Sequence, residues 1–237
     1  MYTKEYLIGS NDVDQFLELK LPSFFKMMQE VATEHVETLG VGINDISFQN
    51  LYWVITRVEL DIIRMPKYGQ RVFLTTYPGD DMRFIFPRYF LLEDESKKPL
   101  IKVSSIWMVL RKENRQPALN PFEGRVFPME HLSDELKLPS KCVGNPTSLI
   151  ETRKVRYSDI DLNGHLNNTK YIDYIIDIHD SDFYKKNRIK HFLINYDKEL
   201  LDNDVLNLLS DHQNPECIKG ELNGNTAFMV NIVYDKR

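Results

Sequence analysis

Cysteine is nearly missing from this chain. Cys142 and Cys217 are the only two among 237 residues. That is too few for a disulfide scaffold, and neither has a CxxC partner or a neighbouring His/Cys cluster. A ligand-spaced metal set is therefore not expected, and a reducing compartment is. No apolar run approaches the roughly 18 residues of a membrane-spanning helix. Met1 to Ile8 shows no basic segment followed by a long apolar stretch, so no secretory signal is expected. Positive charge is not in excess either: 30 Lys and Arg against 35 Asp and Glu give a net charge of −5, which argues against nonspecific nucleic-acid binding. What remains is 42% hydrophobic, 27% charged and 11% aromatic. This suits a soluble cytoplasmic globular protein of one large or two small domains.

Hydrophobic periodicity organises the chain. Phe24, Met28, Val31, His35 and Leu39 recur at helical steps, widened by Phe25, Ala32 and Val36, with Pro22 and Ser23 before them and Gly40 after. The spacing predicts one amphipathic helix over about residues 22–39. Strand-like segments follow at 52–63, 71–77, 83–92 and 100–110, an antiparallel meander. Residues 113–147 are punctuated by proline and read as a connector, with a short helix near His131–Leu136. Then the order returns: a strand at 149–156, a helical stripe from Thr169 to Ile178, and strands at 191–196, 205–209, 216–222 and 226–234. Asp12-Val13-Asp14 and Asp159-Ile160-Asp161 stand 147 residues apart, each before a helix, and the turn Met65 to Val72 parallels Leu201 to Val205. Two copies of one α+β fold are expected, around 1–112 and 148–237, each a helix packed on an antiparallel sheet.

The densest polar stretch is Tyr157 to Tyr171. Asn167 or Asn168 suits a helix N-cap and Asn163-Gly164 suits a turn. Neither role explains Asp161, Asn163 and His165 at every second position. In an extended loop these three would face one side, just ahead of a helix N-terminus that stabilises developing negative charge. In the first copy Phe16 stands where Asn163 does and Glu18 where His165 does. That asymmetry suggests that one copy carries chemistry. Glu199 ends a predicted strand and on its own reads as a solvated turn carboxylate. His35 reads as a core histidine, and His131, His179, His191 and His212 show no partner pattern.

Tyr157 to Ile172 resembles the signature of acyl-acyl-carrier-protein thioesterases, a D-x-N-x-H-x-N-N-x-x-Y pattern met by Asp161, Asn163, His165, Asn167, Asn168 and Tyr171. Asn195 to Leu200, Leu51 to Arg57 and Ser104 to Val109 resemble further family segments in order. The resemblance implies a tandem double hot-dog fold in which the second copy is catalytic and the first lines an acyl-chain pocket, with Phe24, Met28, Trp53 and Trp107 as candidate wall residues. It implies catalytic Asp161, Asn163, His165 and Glu199, no cofactor and no metal. The implied substrate is a fatty acyl chain linked through 4'-phosphopantetheine to acyl carrier protein, in fatty acid biosynthesis, with no nucleic acid and no membrane span.

One position departs from the pattern. The plant members carry Cys after the Glu, and this chain has Leu200. Leucine is no nucleophile, so direct attack by a Glu199-activated water is expected. His165 would position the water or protonate the leaving thiolate, Asn163 would orient water or carbonyl, and Asp161 would orient the loop. The acidic carrier should meet a basic face, either Arg153, Lys154 and Arg156 or Lys67 and Arg71. An acyl-coenzyme A thioesterase, a hot-dog dehydratase and a non-catalytic acyl-binding module stay open, as do monomer and homodimer.

Overall fold

The computed structural model describes residues 1–80, 82–125, 137–211, 214 and 216–237. The short helix expected at His131–Leu136 lies outside them. The chain divides into two compact units, Met1–Pro139 and Ser140–Arg237.

In the first unit, β1 (Tyr2–Leu7) leads to helix α1 (Leu21–Thr38), a short helix α2 (Ile43–Ser47), and strands β2 (Leu51–Ile62), β3 (Arg71–Pro78), β4 (Phe86–Asp94) and β5 (Pro99–Arg111). The strands are antiparallel in the order β1-β3-β4-β5-β2. The stripe on α1 is the reason it folds here: Phe24, Phe25, Met28 and Val31 are fully buried, each contributing about 1.5–3 kcal/mol by leaving water. Gly40 ends the helix at φ +68, a left-handed turn that glycine adopts without strain. Gly40 N–H donates to Glu37 O at 3.1 Å and Val41 N–H to Val36 O at 3.1 Å. This is the paired closure of a Schellman cap, with Val36 and Val41 packed in one cluster. Strand β4 starts at Phe86 rather than at Arg83, because Arg83 has φ +62 and Met82 pairs with Ile85 in a tight turn.

The second unit repeats the plan. Strand β6 (Ser148–Lys154) is followed by helix α3 (Asn168–Ile176), the short helix α4 (Ser181–Lys186), and strands β7 (Asn187–Tyr196), β8 (Val205–Ser210), β9 (Cys217–Leu222) and β10 (Asn225–Lys236). Their order, β7-β10-β9-β8-β6, is the order of the first sheet strand for strand. Helix α3 has 9 residues against 18 in α1. Asn167 caps it, its side chain accepting from Thr169 N–H at 2.9 Å. Ile172 and Ile175 are fully buried. The Tyr171 ring meets Tyr196 of β7 and Phe228 of β10 edge-on, both at 5.1 Å.

A polar island interrupts the apolar interior of the first unit. Register places Arg88, Phe90 and Leu92 of β4 on one sheet face with Ser105, Val103 and Ile101 of β5. Arg88 reaches His35 of α1, so this is the face the helix covers: Arg88 Nη1 lies 3.0 Å from His35 Nδ1 and 3.1 Å from Thr76 Oγ1. A guanidinium only donates, so His35 Nδ1 is the acceptor and the imidazole is neutral. The expected core histidine is there, 4% exposed.

Burial, helped by the Arg88 charge, pushes His35 down to about 4. Unfolded histidine titrates near 6.5. Between those values the unfolded chain binds a proton that the folded chain refuses, so stability falls as pH drops from about 6.5 to about 4, by ~3 kcal/mol. His35→Gln keeps an acceptor without the titration and should flatten the fall of Tm over that window. Equal slopes in the two proteins would rule His35 out as the group responsible.

Candidate active site

Asp161 to His165 is a closed hairpin and not the extended loop expected from alternation. Asp161 N–H donates to His165 O at 2.7 Å and Gly164 N–H to Asp161 O at 3.1 Å, while Ile160 and Leu166 pair across the loop. Gly164 has φ +81, the left-handed third residue of a three-residue hairpin. The Asp161 carboxylate sits inside the turn. Its Oδ1 accepts from Asn163 N–H at 2.8 Å and His165 N–H at 3.1 Å. Asp161 therefore fixes the backbone on which His165 stands.

The first copy builds the same loop bond for bond. Asp14 Oδ1 accepts from Phe16 N–H at 2.8 Å and Glu18 N–H at 3.1 Å, and Leu17 has φ +59. Asp12 and Asp159 match as well, accepting from Gly9 N–H at 3.1 Å and Arg156 N–H at 3.0 Å. After each loop one backbone N–H crosses to a second segment: Leu19 to Pro66 O at 2.8 Å, Leu166 to Leu200 O at 2.7 Å. Glu18 bridges to Lys67 and His165 to Leu201. The residue before Pro66 is Met65, and the residue before Leu200 is Glu199. One frame thus presents Glu18 and Met65 in the first copy and His165 and Glu199 in the second.

In the second unit this frame brings the imidazole and the carboxylate together. His165 Nε2 lies 3.3 Å from Glu199 Oε2, with 16% and 23% of the side chains exposed. Glu199 is held from both sides. Asp197 and Lys198 N–H donate to Ala227 O of β10, both at 2.9 Å. Leu200 is fully buried, and its backbone hydrogen-bonds the Tyr171 hydroxyl. Burial raises the Tyr171 phenol above its ordinary range, so it stays protonated. A reacting group can reach the pair while the frame beneath it stays dry.

The other expected residues fall as follows. Asn163 is at the exposed tip of the hairpin, and among the described residues its carboxamide has no protein partner. Phe24 and Met28 are fully buried in the first unit. The Trp53 indole N–H donates to Val41 O at 2.9 Å and its ring packs on Phe86 and Phe122 at 5.2 and 5.5 Å. The Trp107 indole N–H donates to Ser105 Oγ at 2.9 Å. Register puts Trp53 opposite Val109 and Trp107 opposite Ile55, so both tryptophans share the sheet face that carries Arg88. Tyr171 and Asp159 were not among the expected site residues. Tyr171 had a signal, since it matches the last position of the signature. Asp159 binds the Tyr174 hydroxyl at 2.9 Å, and only the duplicated Asp-x-Asp pointed to it. Among the described residues no cluster of three His, Cys, Asp or Glu side chains is arranged to hold a metal ion, and no helix is long and apolar enough to cross a membrane.

Replacing Leu200 by Cys tests the departure from the plant pattern. The Leu200 side chain is fully buried, so a thiol there would be enclosed. Leu200→Cys should lose about 1–3 kcal/mol of stability by leaving a cavity and gain no sensitivity to thiol alkylation of the folded protein. Rapid inactivation of the variant by iodoacetamide, with the wild type untouched, would contradict that.

A family model of the acyl-ACP thioesterase N-terminal domain matches residues 1–121, and one of the acyl-ACP thioesterase C-terminal domain matches residues 145–233. A chloroplastic acyl-[acyl-carrier-protein] hydrolase of Cuphea viscosissima is 23% identical over 86% of this chain and 53% of its own length. A chloroplastic palmitoyl-acyl carrier protein thioesterase of Arabidopsis thaliana is 24% identical over 89% of this chain and 55% of its own. The chain thus spans about half the length of these curated relatives. An acyl-ACP thioesterase of Bacteroides thetaiotaomicron superposes with a TM-score of 0.85 at 23% identity, covering 98% of this chain and 97% of that one. A 12:0-ACP thioesterase from Umbellularia californica does so with a TM-score of 0.83 at 20% identity, covering 100% and 97%. The fold is the tandem double hot-dog fold.

Proposed function

This chain belongs to the acyl-ACP thioesterase family, and we propose that it hydrolyses fatty acyl-ACP thioesters to free fatty acid and holo-ACP by attack of water. The observation that carries the mechanism is the His165–Glu199 pair at 3.3 Å, built on a frame whose duplicate holds Glu18 and Met65. Glu199 takes a proton from a water molecule as its oxygen bonds to the thioester carbonyl carbon. The tetrahedral oxyanion then collapses, the C–S bond breaks, and the sulfur leaves as a thiol with a proton relayed through His165. The fatty acid departs as its carboxylate. Asn163, whose carboxamide has no protein partner among the described residues, orients the water or the carbonyl. Backbone N–H groups ahead of α3 stabilise the oxyanion. In this reading the second domain, about 148–237, carries the chemistry, and the first, about 1–112, binds the acyl chain. Two free cysteines suit the reducing cytoplasm.

The carrier's acidic surface needs a basic partner. Arg153 is tied to Glu151 at 2.8 Å and Asp177 at 3.6 Å, and Arg71 is tied to Glu5 and Glu95. Lys154 and Arg156, exposed beside the active hairpin, have no side-chain partner among the described residues. Charge reversal of these two should lower kcat/KM on acyl-ACP by on the order of fivefold at low salt and leave acyl-coenzyme A hydrolysis unchanged. An equal loss on both substrates would remove the docking role. Thiol release from carrier-bound substrates tests the function itself.

A further inference from the structure

The backbone that carries Glu199 has a close counterpart in the first copy. Asp197 and Lys198 N–H both donate to Ala227 O, and Ile63 and Arg64 N–H both donate to Leu100 O, at 2.9 and 3.1 Å. Leu166 N–H reaches Leu200 O as Leu19 N–H reaches Pro66 O. Phe24 and Tyr171 hold the same place on their helices, counted from the N-caps Lys20 and Asn167. Both rings are buried, 0% and 3% exposed. Features present in both copies belong to the architecture.

One hydrogen bond is not shared. The Tyr171 hydroxyl oxygen accepts from Leu200 N–H, a contact that favours the ionised phenol. In the first copy both halves of this bond are missing together: Phe24 has no hydroxyl, and Pro66 has no N–H. A buried hydroxyl and a buried N–H each cost free energy unless paired, and the first copy folds without either. A second hydroxyl divides the same way. Tyr196 Oη donates to Asn168 O at 3.4 Å, while Ile62 stands three residues before Met65 as Tyr196 stands three before Glu199. The hydroxyls accompany His165 and Glu199 and are absent beside Glu18 and Met65.

The consequence falls on Glu199. Leu200 N–H lies in the same planar peptide unit as the Glu199 carbonyl. Tyr171 holds that unit, and Leu166 holds Leu200 O in the next one at 2.7 Å. Two successive peptide planes are thereby fixed directly after Glu199, whose carboxylate stands 3.3 Å from His165 Nε2. We propose that Tyr171 is a positioning residue for the reaction: its hydroxyl holds the Glu199–Leu200 peptide, and through it the Glu199 carboxylate, against His165. The proposal rests on the thioesterase reading, in which Glu199 is the base.

Tyr171→Phe gives the second copy the ring of the first, and buried Phe24 shows that this frame accepts a phenylalanine. In the full chain, kcat on acyl-ACP should fall by at least about tenfold with KM little changed. A loss that acts through Glu199 disappears once Glu199 is no longer a base. In a Glu199→Gln background, Tyr171→Phe should therefore change the residual kcat by less than about twofold. A merely structural tyrosine would cost the same factor in both backgrounds. That result, or wild-type kcat in the single variant, overturns the proposal. A second measurement needs no turnover. Amide hydrogen exchange at Leu200 should quicken on the order of tenfold in Tyr171→Phe, while the Leu166 amide keeps its wild-type rate. Unchanged exchange at Leu200 would remove the bond, and the proposal with it. A chain that releases no thiol from any substrate loses the thioesterase reading, and exchange then decides by itself whether Tyr171 holds the Glu199 peptide.

Discussion

Glu199→Gln lowers turnover of acyl-ACP by about 10²- to 10⁴-fold, the span general-base catalysis supplies. The substitution is nearly isosteric and 23% of the Glu199 side chain is exposed, so the fold should survive and KM should change little. The amide still bonds to His165 Nε2 but accepts no proton from water, so the loss falls on kcat. The split separates two roles. A carboxylate that only positions His165 would be largely replaced by the amide, and kcat would stay within about tenfold. Measured kcat and KM on one acyl-ACP, wild type beside variant, decide between them.

The second large effect comes from a pair of matched substitutions. Asp14→Ala and Asp161→Ala each remove a carboxylate that accepts two backbone N–H groups, at 2.8 and 3.1 Å in both copies. Each should cost about 1–3 kcal/mol of stability, seen as similar falls in Tm. Their effects on activity should differ widely. Asp161→Ala frees the backbone of His165, and a displacement of about 1 Å at a catalytic group costs on the order of a hundredfold. Asp14→Ala loosens the backbone of Glu18, where no chemistry is placed, and kcat should stay within about twofold. Equal losses of activity would mean that both hairpins serve the reaction, and the asymmetry between copies would lose its meaning.

Much of this was legible in the residues because local rules govern it. The α1 stripe and Gly40 marked both the helix and its cap. The two Asp-x-Asp pairs marked the duplication, which the matching strand orders β2-β5-β4-β3-β1 and β7-β10-β9-β8-β6 carry through. The alternation argument at Asp161, Asn163 and His165 went astray for a physical reason. It assumes extended backbone, and Asn163-Gly164 turns the chain, leaving Asn163 at the tip and Asp161 inside. Glu199 had no local signal at all. It comes to His165 only through a bridge between segments more than thirty residues apart, and without the resemblance it reads as a turn carboxylate. Arg88 was equally silent, since a strand arginine is ordinarily exposed and its burial depends on where α1 lies.

The most direct test is free-thiol release by the full chain from a panel of acyl-ACP substrates of increasing chain length, beside the same chains on coenzyme A and beside Glu199→Gln. Rapid release from the carrier-bound set, lost in the variant, is the predicted result. No release from either carrier by a correctly folded chain would contradict it.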